Sequence, residues 1–181
     1  SHVTVIRHEK NQGKGASLLA GFALALDVAD YAITIDADGQ HNPDDISSLL
    51  QAVKEGERPL VLGKRAGMEH ANVPCTSRWG RQFSNFWVWA SCGRWLSDSQ
   101  SGFRLYPLPE TMTLGAKSRR FQFEVEILVR AAWSRIPILE VPVEVVYDPA
   151  EDRIPHFRPW LDFWHNTKTF TLLIAHRILI P

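Results

Sequence analysis

The residues most able to do chemistry stand together in Ile33-Thr34-Ile35-Asp36-Ala37-Asp38-Gly39-Gln40-His41. An apolar run ends there in two carboxylates two residues apart, and a turn can aim both at one point. Two carboxylates held together are costly without a cation, and Mg²⁺ or Mn²⁺ with oxygen ligands resolves that cost. Gln40 adds an amide oxygen to Asp36 and Asp38, and a metal held there can neutralise a departing diphosphate. The plainer reading is a polar turn in which Asp36 caps backbone amides. A calcium-binding EF-hand loop starting at Asp36 is excluded, because its sixth and twelfth positions hold His41 and Ser47 where Gly and Glu are required. A Mg²⁺-dependent phosphohydrolase of the haloacid dehalogenase type, with Asp36 as nucleophile, is a rival. Against it, a βα unit precedes the motif, Gln40 follows it, and no later acidic pair is evident.

A second group is cationic. Arg78, Arg81, Arg94 and Arg104 lie between Ser77 and Arg104 against one acid, Asp98, and Arg65 sits just before them. Paired guanidinium N–H groups suit phosphate. The alternative for Arg78, Arg81 and Arg94 is surface pairing or stacking on the neighbouring tryptophans. This local excess stands out because the whole chain of 181 residues has 20 Lys plus Arg against 20 Asp plus Glu. A globally basic nucleic-acid binder is therefore not expected. The two cysteines, Cys75 and Cys92, make no CxxC pattern and fit a reducing compartment.

The elements that must carry these groups alternate. Val3–Ile6 reads as a short buried strand and Lys14–Ala29 as a helix with apolar residues on nearly every side, hence well buried. Tyr31–Ile35 reads as a strand, Pro43–Glu55 as a helix with proline and two aspartates at its start, and Leu60–Gly63 as a third strand. That alternation predicts βαβ units and a mainly parallel sheet, with ligands outside the carboxyl ends of its strands. Further on, Ser77–Trp95 reads as an aromatic, arginine-rich helix, Ser97–Tyr106 as a polar turn, Phe121–Trp133 as a helix and Ile138–Tyr147 as an exposed or edge strand. Pro159–Ile180 reads as a helix with mixed faces. Phe86, Trp87, Trp89 and Trp95 suit a core better than a lipid groove, although aromatics beside arginines also suit a membrane surface. The most apolar late stretch, 169–175, is far shorter than the roughly 20 residues a spanning helix needs.

Four segments in this order and spacing resemble family 2 glycosyltransferases, of the dolichol-phosphate mannosyltransferase and polyprenyl-phosphate glycosyltransferase type. They are Asn11-x-Gly13-Lys14-Gly15, Asp36-Ala37-Asp38-Gly39-Gln40-His41, Gly63-Lys64-Arg65 and Asp98-Ser99-Gln100-Ser101-Gly102-Phe103-Arg104. The resemblance runs from about Val3 to Arg158. It implies a glycosyltransferase A-type α/β fold, a mainly parallel sheet flanked by helices. It also implies inverting, metal-dependent transfer of a hexose from a nucleotide diphosphate sugar of the GDP-mannose or UDP-glucose type to polyprenyl or dolichyl phosphate. By the same resemblance Asp36, Asp38 and Gln40 hold Mg²⁺ or Mn²⁺. Asn11, Lys14, Asp36 and Arg65 bind the nucleotide sugar, joined by His156 and Arg158 of a late loop; the alternatives are a helix cap for Asn11, a solvated lysine for Lys14 and a plain surface loop for His156 and Arg158. Ser101 and Arg104 receive the acceptor phosphate by the same resemblance, and the local arginine excess adds Arg78 and Arg81 to that role. Asp98 and Arg104 are the catalytic pair, Asp98 orienting the acceptor or positioning other groups, since an ionised phosphate needs no strong base. Glu124 and Glu126 match a helix near the acceptor, with an exposed helix-surface pair as the alternative.

The resemblance also implies a gap. Members begin with a strand, a helix and a second strand that have no counterpart here, about sixty residues by the size of two βα units. The expectation is an amino-terminally incomplete catalytic domain over 1–158, lacking its first βαβ part, followed over 159–181 by an amphipathic, membrane-proximal helix. A bare sheet edge would invite a second copy, making a homo-oligomer. The expected place is the cytoplasmic face of a membrane, peripheral or tethered, with no nucleic acid partner. A truncated domain that binds without turnover is the non-catalytic alternative.

Overall fold

The computed structural model describes residues 3–66, 75–145 and 170–175, with residues 75–80 described through their backbone alone. Its centre is a four-stranded sheet in the order β1-β3-β2-β4, formed by β1 (Tyr31–Thr34), β2 (Leu60–Arg65), β3 (Arg104–Pro107) and β4 (Ile138–Val143). β2 pairs with β4 in parallel, while β3 pairs antiparallel with both β1 and β2. Three strands therefore share one direction and β3 alone is reversed.

The helices α1 (Lys14–Ala25), α3 (Cys75–Cys92), α4 (Leu108–Thr113) and α5 (Gln122–Trp133) gather with one layer of the core, and α2 (Ile46–Gln51) with the other. Side chains alternate across a strand, and the two apolar clusters follow that alternation. Leu60, Leu62 and Tyr106 join Phe22, Val88, Phe123 and Leu128 on one side. Val61, Leu105 and Phe103 join Leu49 and Val143 on the other. Leu60-Val61-Leu62 is an unbroken apolar run because β2 is covered on both faces.

Several expectations change. The segment Ser97–Tyr106 is a turn only in its first part; its end is β3, a fully buried central strand. Arg104 interrupts the apolar run of Phe103, Leu105 and Tyr106, which hides the strand signal. Val3–Ile6 forms no strand, and Val3 and Val5 are each 82% exposed. A strand is stable only beside a hydrogen-bonded neighbour, and no described strand lies along it. α1 is shorter than its apolar pattern suggests and is covered on one side only. Gly15 and Phe22 are buried, while Leu24 is 60% exposed. The second helix is likewise shorter, a single 3₁₀ turn over Pro43–Asp45 leading into α2, with the Asn42 side chain accepting from the Asp44 amide. β4 is an edge strand as expected. Of the helix expected over Pro159–Ile180, only 170–175 lies among the described residues, and it is helical.

Candidate functional site

The first glycine-rich segment is shaped by close approach. The Asn11 side chain accepts from the Gly13 amide at 2.9 Å, and Gly13 has φ 93°, a conformation that suits glycine. A Cβ on Gly15 would lie 2.6 Å from both the Phe123 Cβ and the Ser118 carbonyl oxygen. These tight contacts seat the first turn of α1 on the start of α5. Lys14 then reaches the end of β1. Its Nζ lies 2.6 Å from Asp36 Oδ1 and 2.5 Å from Glu124 Oε1. Burial opposes the charge on Lys14, but the facing carboxylates of Glu124 and Asp36 outweigh it and raise its pKa.

The segment 98–104 meets the same point. Gly102 packs so closely that an added Cβ would overlap the Asp36 carboxylate and come within 2.7 Å of Lys14 Nζ. The Thr34 hydroxyl donates to the Gly102 carbonyl at 2.7 Å, tying the end of β1 to this segment. Charged side-chain ends occupy the space a side chain would take here, so a larger residue must displace them.

Beyond Gly102 the segment is buried and locked. Asp98 is fully buried, and its two oxygens accept from Arg65 Nε and Nη2 at 2.7 and 2.8 Å. This two-point geometry suits guanidinium and carboxylate. Glu140 of β4 accepts from the Ser97 and Asp98 amides and from the Ser97 hydroxyl. Asn85 of α3 accepts from the Ser99 amide and donates to the Ser97 carbonyl. Arg104 is also fully buried. Its Nε, Nη1 and Nη2 donate to the carbonyls of Ser101, Glu124 and Ser99 at 2.6, 2.7 and 2.8 Å.

These geometries correct the role expected for Arg104. A side chain without exposure, with each guanidinium nitrogen donating to a main-chain carbonyl, organises the loop instead of meeting an acceptor phosphate. Ser101 is buried as well, its hydroxyl accepting from the Phe103 amide at 3.4 Å. Arg81 is half-buried on α3, and Arg94 donates to the Ile138 carbonyl at the start of β4. The side chain of Arg78, and His156 and Arg158, lie outside the described residues.

The strand-end turn is more open. Asp38 is exposed and accepts from the Gln40 amide at 3.1 Å. Gln40 is half-buried, and the His41 ring packs 5.2 Å from the Phe103 ring. Burial pushes the His41 imidazole below its ordinary pKa, against the opposing pull of Asp36 and Asp38. Among the described residues, no three His, Cys, Asp or Glu side chains gather as a ready metal cage. The turn carries two carboxylates and the Gln40 amide, oxygen donors of a kind that suits Mg²⁺ or Mn²⁺ with water completing the shell.

Glu124 and Glu126 do not form an exposed pair. Both are buried. Glu126 accepts from the Lys117 and Ser118 amides and from Arg130 Nε. Burial works to raise its pKa, but these hydrogen bonds prevail and lower it. Sequence reasoning also missed Asn85 and Glu140, which carry no motif and are brought to the loop by α3 and β4. On α3, Trp87 is partly buried and stacks 5.7 Å from Phe170. Phe86, Trp89 and Trp95 are exposed, against their expected place in the core. No helix among the described residues is long and apolar enough to cross a membrane.

Comparisons with known proteins agree with the four-segment resemblance. The chain is 34% identical over 150 residues to the UDP-N-acetylglucosamine–dolichyl-phosphate N-acetylglucosaminyltransferase of Methanococcus voltae, covering 80% of this chain and 60% of that one. It is 28% identical over 150 residues to the undecaprenyl-phosphate mannosyltransferase of Micrococcus luteus, covering 80% and 61%. With the dolichyl-phosphate beta-glucosyltransferase of Homo sapiens it shares 27% over 175 residues, covering 88% and 51%. The chain thus spans about 60% of the length of the first two relatives. The family model described as glycosyl transferase family 2 matches residues 1–110, which include the Asn11, Asp36, Arg65 and Asp98 segments around the junction of Lys14, Asp36 and Gly102. By that match the chain belongs to glycosyl transferase family 2.

Proposed function

We propose that the protein containing this chain transfers a sugar from a nucleotide diphosphate sugar to a polyprenyl or dolichyl phosphate. The observation that carries the reading is the direct contact of Gly102 with Asp36 and Lys14, which brings the donor-side carboxylate against the acceptor-side loop. The three relatives named above support the acceptor class, since each name contains dolichyl or undecaprenyl phosphate, while their sugars differ. Family membership also favours transfer over the phosphohydrolase reading of Asp36.

In this reading Asp36, Asp38 and Gln40 hold Mg²⁺ or Mn²⁺. The bound cation would neutralise charge developing on the departing nucleoside diphosphate. Lys14 adds a fixed positive charge beside Asp36. Asn11 shapes the loop that delivers it. Arg65, with a partly exposed side chain, is oriented by Asp98 toward the donor phosphates. Asp98 is a positioning group, because both its oxygens already accept from Arg65. An acceptor phosphate is ionised near neutral pH and attacks the sugar carbon without a strong base, giving inversion in a single displacement. Arg81 and Arg78 of α3 are the arginines proposed to meet that phosphate.

The lipid would approach at a membrane surface. Phe86 and Trp89, one helical turn apart on the exposed face of α3 with rings 5.9 Å from each other, would rest in the interfacial layer. The test is transfer of radiolabelled sugar to short-chain polyprenyl phosphate by the complete protein and its Asp38→Ala variant, each with Mn²⁺ and with EDTA. Metal-dependent transfer that Asp38→Ala abolishes is the expected result. Full activity in that variant would remove the metal assignment, and phosphate release without transfer would restore the hydrolase.

A further inference from the structure

We propose that Glu124 is a positioning residue, the joint that holds the donor-side and acceptor-side segments in one arrangement. Its two ends do different things. The carboxylate lies 2.5 Å from Lys14 Nζ, and Lys14 in turn lies 2.6 Å from Asp36. The main-chain carbonyl accepts from Arg104 Nη1 at 2.7 Å, within the buried frame that also holds Ser99 and Ser101. One residue of α5 therefore touches the Lys14 segment and the Arg104 segment together, and through Lys14 it reaches the strand-end turn. Gly102 fills the remaining side of the junction, against Asp36 and Lys14.

The physical need for such a joint follows from lysine itself. Its ammonium is a point charge on a flexible four-carbon stem and has no fixed direction of approach. With Asp36 as its sole carboxylate, it would settle wholly on that group and compete with any cation there. Glu124, with its side chain 8% exposed, supplies a second anchor. The ammonium is then shared, and Asp36 keeps charge and direction for a donor complex. The importance of Asp36 for the donor rests on the function proposed above; the shared ammonium does not.

Two measurements separate these layers. The first is the ¹⁵N ammonium spectrum of lysine-labelled chain at low temperature, where a partly buried ammonium paired with two carboxylates exchanges more slowly than an exposed one and is resolved. Lys10, Lys54, Lys64 and Lys117 are exposed. The Lys14 signal, identified by its loss in Lys14→Met, is expected in the wild type and in Glu110→Gln, a change remote from the junction, and absent from Glu124→Gln. Its absence from the wild type, or its persistence in Glu124→Gln, would overturn the proposal. Should Glu124→Gln not fold, Glu124→Asp withdraws the carboxylate by one methylene; a shifted signal supports the joint and an unchanged one overturns it.

The second is binding of UDP and GDP with Mn²⁺ to the wild type, Glu124→Gln, Lys14→Met and the double variant. Glu124→Gln is expected to weaken binding about tenfold, within the coupling that touching residues show, and the loss should vanish in the Lys14→Met background. An equal loss in both backgrounds would mean that Glu124 does not act through Lys14. If the wild-type chain binds neither nucleotide, the donor reading of this chain fails while the ammonium spectrum still decides the joint.

Discussion

The strand-end turn and the loop before β3 meet at Gly102, yet they are built in opposite ways. In the loop, Asp98, Ser99, Ser101 and Arg104 are all buried and tied to neighbours from β2, α3, α5 and β4. In the turn, Asp38 is exposed with one amide for a partner, and Asp36 leans on a single lysine. Buried polar groups must be satisfied internally or they cost stability. An exposed carboxylate is free to take a ligand. The loop is thus a frame whose polarity is already spent on the protein, and the turn is the part whose carboxylates stay accessible.

The comparison is broken most severely at Arg104. Arg104→Met strands three buried carbonyls and should cost upwards of about 3 kcal/mol, read as a lower midpoint in urea unfolding. A loss below about 1 kcal/mol would mean that the frame does not depend on this clamp. Asp98→Asn comes next. It leaves Arg65 without its charged partner and should cost about 3 kcal/mol, checked by the same unfolding curves.

Glu126 sharpens the contrast through pH. Its folded pKa is lowered, so its contribution is complete above the unfolded value, about 4.3, and is lost as pH falls through the lower folded value. Thermal midpoints should therefore drop more steeply on acidification in the wild type than in Glu126→Gln, and parallel curves would show that these hydrogen bonds do not favour the charged form. The smallest stability effect is expected at the meeting point of the two regions. Gly102→Ala should cost about 1 kcal/mol, because Lys14 can withdraw, but it should displace Asp36 and weaken nucleotide binding. Unchanged binding in a folded Gly102→Ala variant would show that the contact does not shape the donor side.

The same contrast explains what could be read from the chain. The turn was legible because its signal is local: Asp36, Asp38, Gly39 and Gln40 follow one another at the end of an apolar run. α5 and β4 were legible for the same reason, through periodicity. The loop's chemistry was not, because burial reverses the meaning of a charge. Arg104 in a matched motif reads as a phosphate ligand until the sheet places it in the middle of β3. Glu124 and Glu126 read as an exposed pair until α5 turns them inward. Asn85 lies 14 residues from the amide it holds and Glu140 lies 42 and 43 from its two, and no spacing rule connects them. The apolar girth of α1 predicted burial, but burial depends on what lies opposite, and the described neighbours cover one side.

We propose that the turn, and not the loop, is where a metal and a nucleotide meet this chain. The most direct test is isothermal titration of the folded chain with UDP and with GDP, each with Mn²⁺ and with EDTA, alongside Asp38→Ala. Binding of one nucleotide that requires Mn²⁺ and is lost in Asp38→Ala is the predicted result. Binding that survives both EDTA and Asp38→Ala, or no binding by a chain shown to be folded by circular dichroism, would contradict it.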